Sequence, residues 1–129
     1  MEADVVVVGA GLAGLVTALE AAECGLEVIL LEKQPAVGGS SIISSGFFAF
    51  AGTDLQHANG ISDSGETLYD DLLEVGQFEN DPALVRTHVE HQLVAYEWLK
   101  GHGVEFGPTV EAVSGQSVPR VHTVDPAQT

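Results

Sequence analysis

Hydrophobic positions fall into blocks of different period along the chain. Val5 to Val8 is an unbroken β-branched run without polar alternation, the pattern of a strand buried on both faces of a parallel sheet. Glycines follow at once in Gly9-Ala10-Gly11-Leu12-Ala13-Gly14. The Ala- and Leu-rich stretch from Leu15 to Glu23 then predicts a helix, with Gly25 as its stop. The run Glu27-Val28-Ile29-Leu30-Leu31, ending at Glu32, predicts the next parallel strand. Together they make a strand–helix–strand unit of about 30 residues, the size of a βαβ crossover.

The pattern then changes. Between Lys33 and Gly52 stand Pro35, Gly38, Gly39 and Gly46 with Ser40, Ser41, Ser44 and Ser45, which predicts a loop with one short helical turn around Ser40–Ser45. Asp63 and Glu66 have the spacing of a capping box before a helix from Ser64 to Val75, with Leu68, Leu72 and Val75 on one face. Asn80-Asp81-Pro82 opens another helix, Asp81 as cap and Pro82 in its first turn. Its expected apolar stripe is Leu84, Val85, Leu93, Val94 and Trp98, ending at Gly101 or Gly103. From Val104 onward periodicity fades, leaving loop with one or two short strands.

Composition narrows the function classes. Acidic residues number 19 against 4 basic ones, a formal charge of −15. Such a surface repels phosphate backbones and anionic membrane surfaces, which argues against a nucleic-acid or membrane binder. The apolar fraction of 45% suffices for a buried core. The single cysteine, Cys24, excludes a disulfide framework and a Cys-rich metal site, and it is expected as a small buried filler in the first helix. No apolar run has the length of a membrane span and no secretory leader is recognisable, so the expected compartment is the cytoplasm.

Candidate chemistry concentrates in Gly9-x-Gly11-x-x-Gly14. Gly9 permits a tight turn out of the strand, Gly11 lets a pyrophosphate approach the backbone, and Gly14 lets the helix pack closely on the sheet. The helix N-terminus then presents free N–H groups and a partial positive charge to the phosphates. Glu32, 18 residues after Gly14, is placed to accept hydrogen bonds from a ribose diol and to repel a 2′-phosphate. Both FAD and NAD use such a turn. The stretch Lys33-x-Pro35-x-x-Gly38-Gly39-Ser40-Ser41 favours FAD, since small residues pass close to a large cofactor and their hydroxyl and N–H groups can bond its phosphate and ribitol oxygens. An NAD-binding dehydrogenase module and a non-catalytic dinucleotide-binding assembly subunit are the alternatives.

These motifs, with Ser44-Ser45-Gly46, Asp63-Ser64, Asn80-Asp81-Pro82-Ala83-Leu84-Val85, Trp98-Leu99 and Ser117-Val118-Pro119-Arg120-Val121-His122, resemble the fumarate reductase/succinate dehydrogenase flavoprotein family. More narrowly, the chain is similar to the N-terminal portion of its soluble branch, which includes flavocytochrome-type fumarate reductases, urocanate reductase and 3-ketosteroid dehydrogenases. The resemblance implies an α/β fold: a Rossmann-like FAD-binding domain with a parallel sheet, incomplete in this chain and completed by further polypeptide. It divides the chain into a βαβ dinucleotide unit (1–35), a flavin-contacting loop (36–60), a helical segment (61–103) and a loop with short strands (104–129). It implies cofactor contacts at Gly9, Gly11, Leu12, Ala13, Gly14, Glu32, Lys33, Gly39, Ser40, Ser41, Ser45 and Gly46, the backbone at Ser45 and Gly46 lying against the flavin ring.

Membrane-bound relatives attach FAD through a histidine just after this loop. Here Ser41, Ile42 and Ile43 occupy that stretch and the first histidine is His57, so FAD is expected to be non-covalent. The His-Arg-Pro-x-Gly-Gly run of the fumarate reductases is matched only through His122, which loosens any transfer of dicarboxylate specificity. The implied activity is dehydrogenation or reduction of a C–C bond beside a carbonyl or carboxylate of a small-molecule substrate, with hydride transfer at flavin N5. The expected partner is a second polypeptide completing the FAD and substrate domains, a hetero-oligomeric split or cleaved enzyme, because relatives run to several hundred residues.

Outside the cofactor residues, Arg120 and His122 are candidates to face the flavin or an anionic substrate, with a structural hydrogen bond as the alternative. His88 and His91, three apart, are expected as exposed helix polars, His57 and His102 as loop residues, and no metal site is expected. The clusters Glu20-Glu23 and Asp70-Asp71-Glu74 read as solvated helix faces.

Overall fold

The computed structural model describes residues 2–44 and 46–128. The chain forms two compact units, Met1–Gly46 and Phe47–Thr129, which divide inside the expected flavin-contacting loop.

The first unit is the βαβ crossover. Strand β1 (Val5–Val8) pairs in parallel with β2 (Val28–Leu31), Val5 opposite Val28 and Val8 opposite Leu31. Helix α1 (Leu12–Glu23) packs on both strands and begins three residues before the expected start, since Gly11 takes the N-cap position. Its end is a Schellman motif: Gly25, at φ +81°, donates to Ala22 O, and Leu26 N–H reaches Ala21 O. The strand expected to be buried on both faces is not. Val7 is buried, but Val6 and Val8 are 55% and 82% exposed, because α1 covers one face of a two-stranded sheet. Cys24 is exposed at the C-cap of α1 rather than buried.

The second unit contains β3 (Phe47–Ala49), α2 (Asp54–Ala58), α3 (Gly65–Val75), α4 (Pro82–Gly101), β4 (Phe106–Glu111) and β5 (Val121–Val124). The strands form an antiparallel sheet in the order β3-β5-β4. Helices α3 and α4 pack together around Ala51, Leu68, Val85 and Val89. A second cluster joins Phe48, Phe50, Tyr96, Phe106 and His122, with ring centroids 5.2–6.1 Å apart, separations at which edge-to-face and stacked pairs attract beyond their buried area.

Several expectations change here. The segment Lys33–Gly52, expected as a loop with one short turn at Ser40–Ser45, contains a 3₁₀ turn at Gly39–Ile43 and also the start of the sheet, β3. Helix α2, with His57 in its last turn, has a full capping box in which Thr53 accepts from Gln56 N–H and Gln56 bonds back to Thr53 N–H. The box expected at Asp63 and Glu66 does not form: Ser64 caps α3 by accepting from Thr67 N–H, and Glu66 pairs with Arg86. Asp81 and Pro82 open α4 as expected. Its buried face is Val85, Val89, Gln92 and Tyr96, whereas Leu84 and Val94 are 70% and 67% exposed. The buried face of α3 is Leu68, with Val75 exposed. His102 is the C-cap of α4, and His88 and His91 are exposed. Among the described residues no helix is long and apolar enough to cross a membrane.

Candidate functional site: a dinucleotide turn

Three of the expected glycines meet different constraints in the first unit. Gly9 leaves β1 at φ +101°, a conformation that side chains disfavour. A Cβ on Gly14 would lie 1.8 Å from Gly9 O, so glycine there lets α1 rest directly on the turn. Gly11 is the reverse case. Its φ is −74°, and a Cβ on it would meet no atom within 4 Å. Among the described residues nothing requires glycine at 11; a group brought against that backbone from outside would.

The start of α1 is also open. Gly11 offers no side-chain cap, and no acidic residue lies in the first turn. The first helical bond is Leu15 N–H to Gly11 O, so the N–H groups of Leu12, Ala13 and Gly14 precede any intrahelical partner and carry the positive end of the helix dipole. Leu12 and Ala13 are exposed there.

Glu32 follows β2. Its Oε2 accepts Ala10 N–H at 2.7 Å, and its Oε1 accepts Gln34 N–H at 2.8 Å. The bond from Ala10, with help from Gln34, holds the carboxyl below its ordinary pKa, so it stays ionised and keeps lone pairs for a further donor. Val8, Gly9, Leu31, Glu32 and Lys33 line a cavity of about 530 Å³ at the strand ends. The small-residue loop closes against the same turn: Gly38 N–H donates to Ala10 O at 2.7 Å, and a Cβ on Gly39 would come within 3.3 Å of Gly11 Cα. Ser40 and Ser41 are exposed in the 3₁₀ turn, and Gly46 has φ +68°. Ser45 lies outside the described residues. The first unit thus gathers Gly9, Gly11, Leu12, Ala13, Gly14, Glu32, Lys33 and Gly39 around the strand ends. Of the two bonds at Ala10, the one from Gly38 N–H is backbone to backbone and leaves no mark in the sequence, whereas the other is accepted by the Glu32 carboxylate.

An open helix start, a glycine whose Cβ direction is vacant and an ionised acceptor at the next strand end fit a pyrophosphate-linked dinucleotide with a ribose diol.

Arg120 and His122 are placed differently. Both are fully buried within the second unit. Arg120 donates through Nε and Nη2 to Asp63 at 2.6 and 2.9 Å and through Nη1 to Asp71, which also accepts Ser117 N–H at 2.9 Å. Burial, the largest influence, works against ionising Asp63 and Asp71, but the hydrogen bonds and charge of Arg120, together with hydrogen bonds from Gln56 and Ser64 to Asp63 and from Ser117 to Asp71, hold both carboxyls below their ordinary values. Asp71 is therefore an internal counter-ion rather than part of a solvated face. His122 Nδ1 lies 2.7 Å from Arg120 O, and Nε2 lies 2.8 Å from Thr53 Oγ1. The carbonyl only accepts, so Nδ1 carries the proton and Nε2 accepts from Thr53. The nitrogen atoms of both side chains are thus occupied by the chain's own groups, as in the structural alternative.

Comparison with known proteins agrees with this geometry. A family model described as FAD binding domain matches residues 4–125. The chain is 40% identical over 119 residues to a cytochrome-type fumarate reductase of Shewanella frigidimarina, covering 92% of this chain and 21% of that protein. It is 43% identical over 120 residues to urocanate reductase of Eggerthella lenta, covering 92% and 20%. Among solved structures, the open conformation of a flavocytochrome c3 fumarate reductase superposes with a TM-score of 0.87 at 35% identity, over 96% of this chain and 22% of that one. A 3-ketosteroid-Δ4-(5α)-dehydrogenase from Rhodococcus jostii superposes at 0.78 with 28% identity, over 95% and 31%. The chain spans about a fifth of the length of the curated relatives it matches. With residues 4–125 matched and the turn built as described, the chain belongs to the FAD binding domain family, and FAD is its cofactor.

Proposed function

We propose that this chain is the FAD-holding part of an oxidoreductase that reduces or desaturates a C–C bond next to a carbonyl or carboxylate. The observation that carries the reading is the Glu32 carboxylate held by Ala10 N–H at the end of β2, beside a glycine whose Cβ direction is open. When bound, FAD supplies a hydride acceptor or donor at its N5. The residues of this chain bind and orient. Glu32 accepts from ribose hydroxyls, the N–H groups of Gly11, Leu12, Ala13 and Gly14 take the phosphates, and Lys33 offsets charge beside them. Gly39, Ser40 and Ser41 would line the cofactor's course, and the backbone at Gly46 would lie beside the flavin. Binding is non-covalent in this reading, since Ser41, Ile42 and Ile43 offer no attachment histidine.

The groups that clamp the substrate and move its proton lie in a second polypeptide that completes the FAD and substrate domains, the holoenzyme being hetero-oligomeric and cytoplasmic. The relatives named fumarate, urocanate and acrylate reductase suggest an unsaturated acid as substrate class. The test uses the protein in the assembly isolated from its source. A yellow preparation that releases FAD into the supernatant on acid precipitation, and that oxidises reduced viologen dye on addition of fumarate, urocanate or acrylate, meets the expectation. FAD retained in the pellet overturns non-covalent binding. A flavin-loaded assembly inert toward all three acids and toward ring enones overturns the proposed reaction and leaves a dinucleotide-binding assembly subunit.

A further inference from the structure

Within the second unit, the turn between α3 and α4 departs from the usual chemistry of a helix stop. Helix α3 ends as a Schellman motif: Gln77 N–H donates to Glu74 O at 2.9 Å, and Phe78 N–H to Leu73 O at 2.8 Å. Such a stop requires one left-handed residue, ordinarily glycine. Here Gly76 stands one place too early, at φ −76°, and Gln77 takes the left-handed position at φ +53°. Phe78 follows at φ +58°, a second left-handed residue that the stop does not need. A bulky side chain in that region is an outlier, held only where its surroundings over-determine it, and such residues cluster at functional positions. The turn carries a further unfavourable feature. Asn80 Nδ2 ties it to Leu72 O at 3.0 Å, but Asn80 Oδ1 is buried and, among the described residues, receives no donor.

At the place of Phe78 in this motif, an apolar side chain commonly packs back on the helix. Phe78 is instead 73% exposed, so packing within this unit does little to offset the strain. Val75 ends α3 and Leu84 lies in the first turn of α4; they are 59% and 70% exposed. Together the three put large apolar side chains at one end of the helix pair. The charged residues beside them in the chain, Glu74, Glu79 and Asp81, are exposed acids. The nearest arginine in sequence, Arg86, is held by Glu66. We propose that Phe78 anchors a docking surface for the second polypeptide of the enzyme, whose socket is apolar and rimmed with Lys and Arg. This rests on the reading that a second polypeptide completes the FAD and substrate domains, the chain spanning about a fifth of its relatives' length. The fixed backbone presents the ring ready to insert, which lowers the ordering cost of docking. A second copy of this chain fits less well. At a formal charge of −15, a self-complementary contact would bring Glu74, Glu79 and Asp81 toward their own copies.

The experiment compares Phe78→Asn, which removes the ring and suits left-handed backbone, with Val94→Asn, which removes an exposed apolar side chain farther along α4. The probe is the second polypeptide separated from the assembly isolated from its source. Its dissociation constant is measured at about 0.05 and 0.5 M NaCl, beside thermal unfolding of the chain alone. Phe78→Asn is expected to melt no lower than wild type and to bind the second polypeptide at least about tenfold more weakly. Val94→Asn is expected to bind as wild type does. Glu79→Gln is expected to bind more weakly at low salt and to lose part of the salt dependence seen in wild type. A lower melting temperature in Phe78→Asn, whatever its binding, gives the ring to the chain's own packing and overturns the proposal. So does an equal loss of binding in Val94→Asn, or unchanged salt dependence in Glu79→Gln. A dimer of the chain alone that Phe78→Asn dissociates overturns the choice of partner. A native particle without a second polypeptide overturns the parent reading and this one with it. A two-polypeptide particle that Phe78→Asn joins as tightly as wild type overturns this one alone.

Discussion

Gly11 and Gly14 lie one helical turn apart, and the structure separates what each is for. Alanine at 14 places a Cβ 1.8 Å from Gly9 O and 3.0 Å from Gly9 C. Non-bonded Cβ contacts do not fall below about 3 Å, so the helix start shifts by roughly 1 Å or the turn opens; forced overpacking of this kind costs about 1–3 kcal/mol. Alanine's better helix propensity returns about 1 kcal/mol, leaving a net loss of roughly 0–2 kcal/mol and a displaced turn. Alanine at 11 meets no atom and needs no positive φ. Its reduced unfolded-state freedom and its poorer fit as a cap are each worth about 0.5–1 kcal/mol and oppose each other. Urea unfolding of apoprotein, paired with titration of FAD followed by flavin fluorescence, reads both effects. Gly11→Ala is expected to unfold at the wild-type midpoint and bind FAD at least about tenfold more weakly, a loss of 1.4 kcal/mol. Gly14→Ala is expected to lose stability without any cofactor present. Wild-type FAD affinity in Gly11→Ala would refute the argument that the open direction at residue 11 belongs to the cofactor.

Other outcomes follow from the second unit. Arg120→Ala leaves the carboxylate of Asp63, fully buried, and that of Asp71, 12% exposed, without their cation; a loss of about 3–5 kcal/mol is expected, and a denaturation midpoint within error of wild type would contradict the internal ion-pair reading. Burial pushes the His122 imidazole below its ordinary value, against the opposing pull of the Arg120 carbonyl. The unfolded chain therefore takes up that proton first: the contribution is whole above about pH 6.5 and falls as pH drops, by at most about 1.4 kcal/mol per pH unit. His122→Gln should flatten the stability–pH slope between pH 7 and 5.5, and an unchanged slope would sink this assignment. With a formal charge of −15, and with Arg86, Lys100 and Arg120 each already paired to a carboxylate, added salt screens net repulsion. The melting temperature is expected to rise between about 0.05 and 0.5 M NaCl, and a fall would mean that the exposed ion pairs dominate.

The dinucleotide turn was legible because it depends on local chemistry: a β-branched run, glycines at fixed offsets, and an acid at the next strand end. The Asp81-Pro82 helix start was legible for the same reason. The interior of the second unit was not. Gln92 breaks an apolar stripe in sequence, yet it is the residue that faces inward, because its amide meets a backbone 41 residues away. Leu84 and Val94 keep the apolar pattern and face outward. Arg120 read either as a cation facing the flavin or an anionic substrate or as a structural hydrogen-bond donor; its carboxylate partners stand 57 and 49 residues earlier, and no local pattern joins them. Asp63 had the spacing of a cap, but the demand of a buried guanidinium outweighed that of a helix start already served by Ser64. Thr53 and Gln56 do form a capping box, just beyond the glycine- and serine-rich stretch that ends at Gly52 and within residues 36–60, expected as flavin-contacting loop.

The Asp63–Arg120–Asp71 clasp also sets an order of assembly. During synthesis α3 emerges with an acid at its entry and another along its length, and their cation lies in a segment made about 50 residues later. Until Arg120 arrives, closing the helices around Leu68 buries carboxylates that have no counter-charge, so the acids hold the half-made unit open. Residues 117–121 act as a closing pin: one segment delivers the guanidinium, the Ser117 bonds to Asp71 and the first residue of the central strand. A ribosome pause before this pin should leave α3 and α4 helical but unlocked, and open to proteases. Passing it should make folding of the unit nearly all-or-none.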